Sequence, residues 1–252
     1  MTPKIEVKNL SKNFGDEIVL NNISFVVEKG EFLSILGSSG CGKTTLLRCL
    51  IGLETADSGH IFIDGHDITH ASPDARGMGI VFQNYALFPN MTVLENVEYA
   101  LKKKPSFKNC YKETAIETLK ILGMSDHLEK KPRQLSGGQQ QRVAIARTVA
   151  LKPSVLLFDE SLSALDVENK EIMKKEMKNI QQHFQSTIIY VTHDQEDAFE
   201  LSDRILVMLN GNIEQLNTPG EILKNPATDY VKNFIVDHMN NKLQAIQNSM
   251  RR

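Results

Sequence analysis

The order of apolar and polar positions divides the chain into strand-like and helix-like stretches. Ile5, Val7 and Leu10 open a short alternating strand, and residues 18–27 give a second that ends at the turn Lys29-Gly30. Phe32-Leu33-Ser34-Ile35-Leu36 is a compact apolar run stopped by a Gly/Ser cluster, the pattern of a buried strand feeding a loop. A helix is predicted over about 43–50. Ile61-Phe62-Ile63 before Asp64-Gly65 predicts a strand and a turn, and Ile80-Val81-Phe82 a further buried strand.

From about residue 91 to 150 the pattern changes to helices separated by breakers. Thr92 is placed to cap a helix over 93–103, a second over 112–122 ends at Gly123, and Lys131-Pro132 breaks the pattern before a third. Strand signals return at Val155-Leu156-Leu157-Phe158 and at 187–192. Residues 205–209 and 212–216, joined by Asn210-Gly211, predict a hairpin with a tight turn. A mixed sheet-and-helix body is thus interrupted by a mainly helical insert of roughly 60 residues, the size of a small domain. The tail from Pro226 reads as helical. Its stripe of Tyr230, Val231, Phe234, Ile235 and Met239 is expected to pack on the chain's own body.

Composition narrows the classes. The 252 residues suffice for one large domain or two small ones, and 41% hydrophobic with 24% charged residues is ordinary for a soluble globular protein. A formal net charge of -2 gives no electrostatic reason to expect nucleic acid as a partner, and Lys102-Lys103-Lys104 reads as a solvated helix face. Cys41, Cys49 and Cys110 are too few and too irregular for a disulfide framework or a zinc site, and fit a reducing compartment. Met1-Thr2-Pro3-Lys4 leads directly into strand alternation and does not read as a signal peptide. No apolar run approaches the ~20 residues of a membrane-spanning helix, so any spans must come from another chain.

Gly37-Ser38-Ser39-Gly40-Cys41-Gly42-Lys43-Thr44 matches G-x-x-x-x-G-K-[ST] in full, with a strand before it and a helix after. The glycines let the backbone curl so that N–H groups meet phosphate oxygens, and the helix adds its positive N-terminal end. Lys43 is suited to the β- and γ-phosphates and the Thr44 hydroxyl to Mg²⁺, with Thr45 beside it in the phosphate site. Cys41 reads as a small filler, since nothing suggests a covalent step. The second half of such a site is a buried strand ending in acid, which Val155-Leu156-Leu157-Phe158-Asp159-Glu160 supplies: Asp159 for Mg²⁺, Glu160 to orient and polarise the attacking water. The two motifs together predict an α/β P-loop NTPase with a mixed β-sheet core, leaving kinases, GTPases, helicases and motor ATPases all open.

Leu135-Ser136-Gly137-Gly138-Gln139, followed by Gln140-Gln141-Arg142-Val143-Ala144-Ile145-Ala146-Arg147, resembles the signature of the ATP-binding cassette (ABC) family. Physically it is a second anion-binding helix start, with Ser136 placed to cap and Gly137 and Gly138 exposing backbone N–H groups. Other landmarks of that family follow in register. Gln83 resembles the glutamine that contacts Mg²⁺ and the attacking water, Ser163-Ala164-Leu165-Asp166 the loop that crosses the dimer interface, and His193 the histidine that contacts the γ-phosphate. Phe14 resembles the aromatic that stacks on adenine, although its own context reads as a core residue.

The resemblance, from about residue 5 to 235, implies N-terminal antiparallel strands and a helical subdomain at about 84–150 carrying the signature. It sets an ATPase domain at 1–235 and a helical tail at 236–252. It also implies a head-to-tail dimer, with ATP between the P-loop of one chain and Ser136, Gly137, Gly138 and Gln139 of the other; the partner ATPase is a second copy or a paired subunit. Opening and closing of that dimer performs the work.

Gln83-Asn84-Tyr85-Ala86-Leu87-Phe88-Pro89-Asn90-Met91-Thr92-Val93, Thr192-His193-Asp194-Gln195-Glu196-Asp197-Ala198 and Thr218-Pro219-Gly220-Glu221-Ile222 resemble bacterial importer ATPases for sugars, polyamines, ferric iron, sulfate and phosphonates. That implies transmembrane permease subunits, indirectly a substrate-binding protein, and a place on the inner face of the cell membrane. Leu87, Phe88, Met91 and Val93 are expected partly to receive a permease helix and partly to pack internally. Ser161 departs from the family's usual proline, and many relatives continue into a β-rich regulatory domain, whereas this sequence runs to Arg252. An ABC ATPase of DNA repair or translation is the alternative; those carry a long coiled-coil insert or two cassettes, and here Gln83 and Leu135 are only about 50 residues apart with one P-loop. A small-molecule kinase has no use for residues 135–139.

Overall fold

The first two strands pair across the tight turn at Gly15-Asp16. β1 (Ile5–Phe14) runs antiparallel to β2 (Glu17–Val27), with Phe14 opposite Glu17 and Ile5 opposite Val27. Then follow β3 (Phe32–Gly37), α1 (Lys43–Ile51), β4 (Ser58–Ile63), β5 (His66–Asp67), β6 (Met78–Val81), α2 (Val93–Lys102), α3 (Tyr111–Ile121), α4 (Gly137–Val149) and β7 (Val155–Asp159). The chain continues through α5 (Val167–Phe184), β8 (Thr187–Thr192), α6 (Gln195–Leu201), β9 (Arg204–Leu209), β10 (Asn212–Asn217) and α7 (Pro219–Lys224). It ends in α8 (Asp229–Val231), a π-helical stretch Lys232–Asp237, and α9 (His238–Met250). The computed structural model describes residues 2–82, 84–160, 162 and 167–250. The chain falls into two compact units, residues 1–71 with 190–252 and residues 72–189, the division passing through β8.

In the first unit β2, β1, β4 and β5 form a four-stranded antiparallel sheet. Ile5, Val7, Ile61 and Ile63 alternate into the core, a period-2 pattern that fixes the register Ile5 to Ile63, and past a break in the ladder after Val7 Leu10 is buried as well. A second set of strands carries β3, which lies parallel to β9, and β10, antiparallel to β9 across the Asn210-Gly211 turn. Both turn residues sit at positive φ (45° and 75°), as a two-residue hairpin requires. Every residue of β3 is buried. Its Leu36 joins Ala198, Ile205, Val207, Ile222, Val231 and Ile235 in one cluster, with Tyr230, Phe234 and Met239 packed on it. The apolar stripe of the tail therefore packs on the chain's own body.

In the second unit β6 and β7 pair in parallel, Val81 beside Phe158, with α4 packed on β6 through the Thr148 hydroxyl, which donates to Ile80 O at 3.3 Å. Two of its helices start where the sequence offers caps. Thr92 and Glu95 form a reciprocal capping box at α2, Ser136 and Gln139 another at α4. The 18-residue α5 is an element the hydrophobic pattern did not single out. Its composition is polar, but Met173, Met177 and Ile180 are spaced four and three apart and all buried, the stripe of one helix face. Among the described residues no helix is long and apolar enough to cross a membrane.

Candidate functional site

The phosphate loop leaves the buried end of β3 and turns into α1. Two glycines are fixed by close approach. A Cβ on Gly37 would stand 2.4 Å from Met208 O of the neighbouring strand, and one on Gly42 2.6 Å from Val19 O, with Gly42 at φ 103° besides. The helix begins on Gly42 with no side-chain cap and no acidic residue in its first turn, so its positive end is not neutralised by its own side chains. Ser38, Ser39 and Gly40 are exposed, and Thr44 and Thr45 half-buried.

Lys43 is 4% exposed, and its Nζ donates to Gly37 O at 2.8 Å and Ser38 O at 2.9 Å. Among the described residues its partners are those two carbonyls and, more loosely, Cys41 Sγ, with no carboxylate neutralising the ammonium. A buried charge held only by carbonyl dipoles is costly, and an anion in the loop offsets that cost. Cys41 is buried with Sγ 4.0 Å from Lys43 Nζ. Burial pushes its thiol up, an effect that nearby Lys43 only partly counters, so it is a protonated filler and not a thiolate.

Two more predicted site residues lie in the same unit. Phe14 ends β1 and is 49% exposed, with Lys12 Nζ 5.1 Å from its ring centroid. Its own context read as core, and the structure corrects this: at the hairpin edge the ring is half-exposed beside Lys12. His193 is exposed on the turn after β8. That turn is tied on both sides: Asp194 N–H donates to Thr192 Oγ1 at 3.0 Å, and the Asp194 carboxylate accepts from Glu196 and Asp197 N–H at 2.9 and 3.3 Å to cap α6.

The other predicted residues belong to the second unit. β7 is buried up to Phe158 and emerges at half-buried Asp159 and Glu160. Glu160 has φ 43°, a left-handed conformation that costs a non-glycine residue free energy and that clusters at functional positions. At the signature, Ser136 Oγ accepts Gln139 N–H at 3.3 Å while Gln139 Oε1 accepts Ser136 N–H at 3.0 Å. Ser136 and Gly137 are exposed, with nothing within 4 Å of a Cβ at Gly137, whereas Gly138 is buried. Val143, Ala146 and Ala150 line the buried side. Gln83, Ser161 and the stretch 163–166 lie outside the described residues.

The segment after Gln83 is held by two side chains that the sequence reading missed. Asn96, fully buried, accepts from Phe88 N–H at 2.9 Å and donates to Phe88 O, Met91 O and Thr92 O. Arg147 donates to Ala86 O and Tyr85 O at 2.7 and 3.0 Å, and its guanidinium lies 5.7 Å over the Phe88 ring. Burial lowers its pKa. The signal was present: an Asn in the second turn of a capped helix, and an Arg on the otherwise small-residue side of α4. Val93 is fully buried while Leu87, Phe88 and Met91 are half-buried, so the apolar set divides between interior and surface.

A glycine-fixed phosphate loop with a buried lysine, an acidic strand end and a capped glycine-rich second helix are the parts of an ABC-type nucleotide-binding domain. Residues 20–163 match the ABC transporter family, and the chain belongs to it. It is 48% identical over 233 residues to the spermidine/putrescine import ATP-binding protein PotA of Pasteurella multocida, covering 92% of this chain and 63% of that protein. It is 48% identical over 237 residues to PotA of Salmonella typhimurium (93% of this chain, 62% of that protein) and 47% over 233 residues to PotA of Vibrio cholerae (92% and 62%). The chain thus spans less than two thirds of the length of these curated relatives.

Proposed function

We propose that this chain binds and hydrolyses ATP as the nucleotide-binding subunit of a bacterial ABC importer. The observation that carries the reading is Lys43, a buried ammonium fastened to two carbonyls in a glycine loop at an uncapped, acid-free helix start. In this reading the Phe14 ring stacks on adenine, and residues 37–45 hold the phosphates through backbone N–H groups and Lys43. Thr44, Asp159 and Gln83 would hold Mg²⁺, whose chemistry is to offset charge on the β- and γ-oxygens. A hydroxyl, a carboxylate and an amide are oxygen donors of the kind that ion takes.

Glu160 orients a water toward the γ-phosphorus and accepts its proton as the new P–O bond forms. The bond to the bridging oxygen breaks, and ADP carries away the electron pair. His193 donates to the γ-phosphate, and Ser136, Gly137, Gly138 and Gln139 of a second subunit close the other side. The ATPase domain in this reading is 1–235 with a helical subdomain at about 84–150, followed by the tail 236–252.

The half-buried Leu87, Phe88 and Met91 support a docking surface for a permease helix, held in shape by Asn96 and Arg147. In this reading the chain works on the inner face of the membrane through its permease partners. The names of the relatives make a polyamine the first cargo to test, delivered by a separate substrate-binding protein. Purified chain should release phosphate from ATP only with Mg²⁺, and Glu160→Gln should bind ATP yet turn over at least about 100-fold more slowly. Undiminished turnover in that variant would remove Glu160 from its role. Copurification of a polytopic membrane protein in near-equal amount supports the transport reading; recovery of soluble partners only would move the chain to the non-transport branch.

A further inference from the structure

The phosphate loop is tied to the tail of the chain. Ser38 N–H, at the start of the loop, points to the Tyr230 hydroxyl of α8 at 3.4 Å. The Tyr230 ring stacks on Phe234 (centroids 5.1 Å apart, planes within 10°). The carbonyl of Phe234 accepts the Gln195 side-chain amide at 2.8 Å, and Gln195 is nearly buried as the first residue of α6, two places after His193. Phe234 lies in the π-helical stretch Lys232–Asp237, a widened turn of the kind that accumulates at functional positions. A second tie runs further along, from Lys242 Nζ to Glu196 Oε1 at 2.7 Å. One segment of the tail thereby touches both the phosphate loop and the α6 start next to the His193 turn, and it is anchored by Val231 and Ile235 in the same core as Leu36 of β3.

We propose that the segment 229–239 is a strut that holds the phosphate loop and the His193 turn in one fixed relation, with Tyr230 and Gln195 as its positioning residues. The inference rests on the nucleotide reading of the loop. Neither residue is assigned to phosphate. Tyr230 holds the Ser38 N–H until ligand arrives and so limits the conformations the empty loop samples, which lowers the ordering cost of binding. Linkage then requires the reverse: a ligand that orders the loop also quiets the strut.

The test uses ADP, the full chain and two readouts. Tyr230→Phe keeps the ring stack and removes only the hydroxyl. It should weaken ADP binding about two- to threefold by calorimetry, with an unchanged melting temperature in the absence of nucleotide. In the wild type, saturating ADP should slow amide hydrogen exchange across 229–239, and in Tyr230→Phe this protection should be lost. Ile121→Ser, an exposed change on α3 in the second unit, should leave both readouts at wild-type values. Wild-type ADP affinity in Tyr230→Phe, or strut exchange in the wild type that ignores ADP, overturns the inference. Failure of the wild-type chain to bind ADP at all would overturn the nucleotide reading and the strut with it, which separates the two failures.

Discussion

The Gly37 carbonyl and the Lys43 ammonium lie 2.8 Å apart, so the last residue of β3 holds the side chain of the first residue of α1 across the loop between them. The lysine is therefore pre-placed, at the expense of burying a charge without a carboxylate partner. Lys43→Ala separates the two consequences. Loss of the charge-assisted contacts should weaken ATP binding by about 100-fold or more. The fold should not suffer, because the variant also removes a poorly compensated buried charge. Calorimetry with ATP and thermal unfolding without it check this together; a large drop in melting temperature would mean that Lys43 is mainly a structural residue.

Gly37 and Met208 give a second test. A Cβ at 37 would sit 2.4 Å from Met208 O and 2.7 Å from Cys41 Sγ, and backbone cannot yield as a flexible side chain can. Gly37→Ala should push β3 away from β9 and cost about 1–3 kcal/mol, an overpacking penalty. Denaturant unfolding measures it. Pairing the change with Cys41→Ala should recover only part of the loss, since the carbonyl clash persists.

Much of this was legible from the sequence, for a physical reason. β3, the loop and α1 appear as an apolar run, a glycine cluster and a helix start, all local signals, and Thr92 and Ser136 announced α2 and α4 through capping chemistry that needs only three residues. What escaped depends on partners outside each residue's own element. Asn96 matters because of backbone groups of Phe88, Met91 and Thr92 in the turn before its helix, and Arg147 because of the carbonyls of Tyr85 and Ala86, 62 and 61 residues away. The exposure of Phe14 follows from the β1–β2 hairpin leaving its tip uncovered. The contact of Tyr230 with Ser38 spans 192 positions, so no window of sequence reveals it.

Acid should weaken the small antiparallel sheet at Asp67. Thr69 donates to its carboxylate from both Oγ1 and N–H, at 2.6 and 2.8 Å, with His60 Nδ1 2.9 Å away, and these bonds to the charged form lower the Asp67 pKa to about 2. The unfolded chain has an ordinary aspartate near about 3.9. A depressed folded-state value means the unfolded state binds the proton more readily. The contribution is thus complete above about pH 5 and disappears as pH falls through about 2. Asp67→Asn should show a flatter loss of stability between those limits than the wild type, measured by denaturant midpoints at stepped pH; parallel curves would assign the acid sensitivity elsewhere.

Glu160 stands at φ 43° where β7 ends, a conformation that glycine adopts without strain and that costs other residues about 1 kcal/mol. A chain selected for stability alone would place glycine there. Replacing the side chain by Ala or Gly removes the same carboxylate and its contacts, so the difference between the two variants isolates the backbone. Glu160→Gly should be more stable than Glu160→Ala by about 1 kcal/mol, and both should be equally unable to hydrolyse ATP. Chemical denaturation of the pair, beside phosphate release, gives the answer. Equal stabilities would mean the positive φ carries no strain, and a Glu160→Gly chain that still turned over ATP would show that the acid is dispensable for the reaction assigned to it.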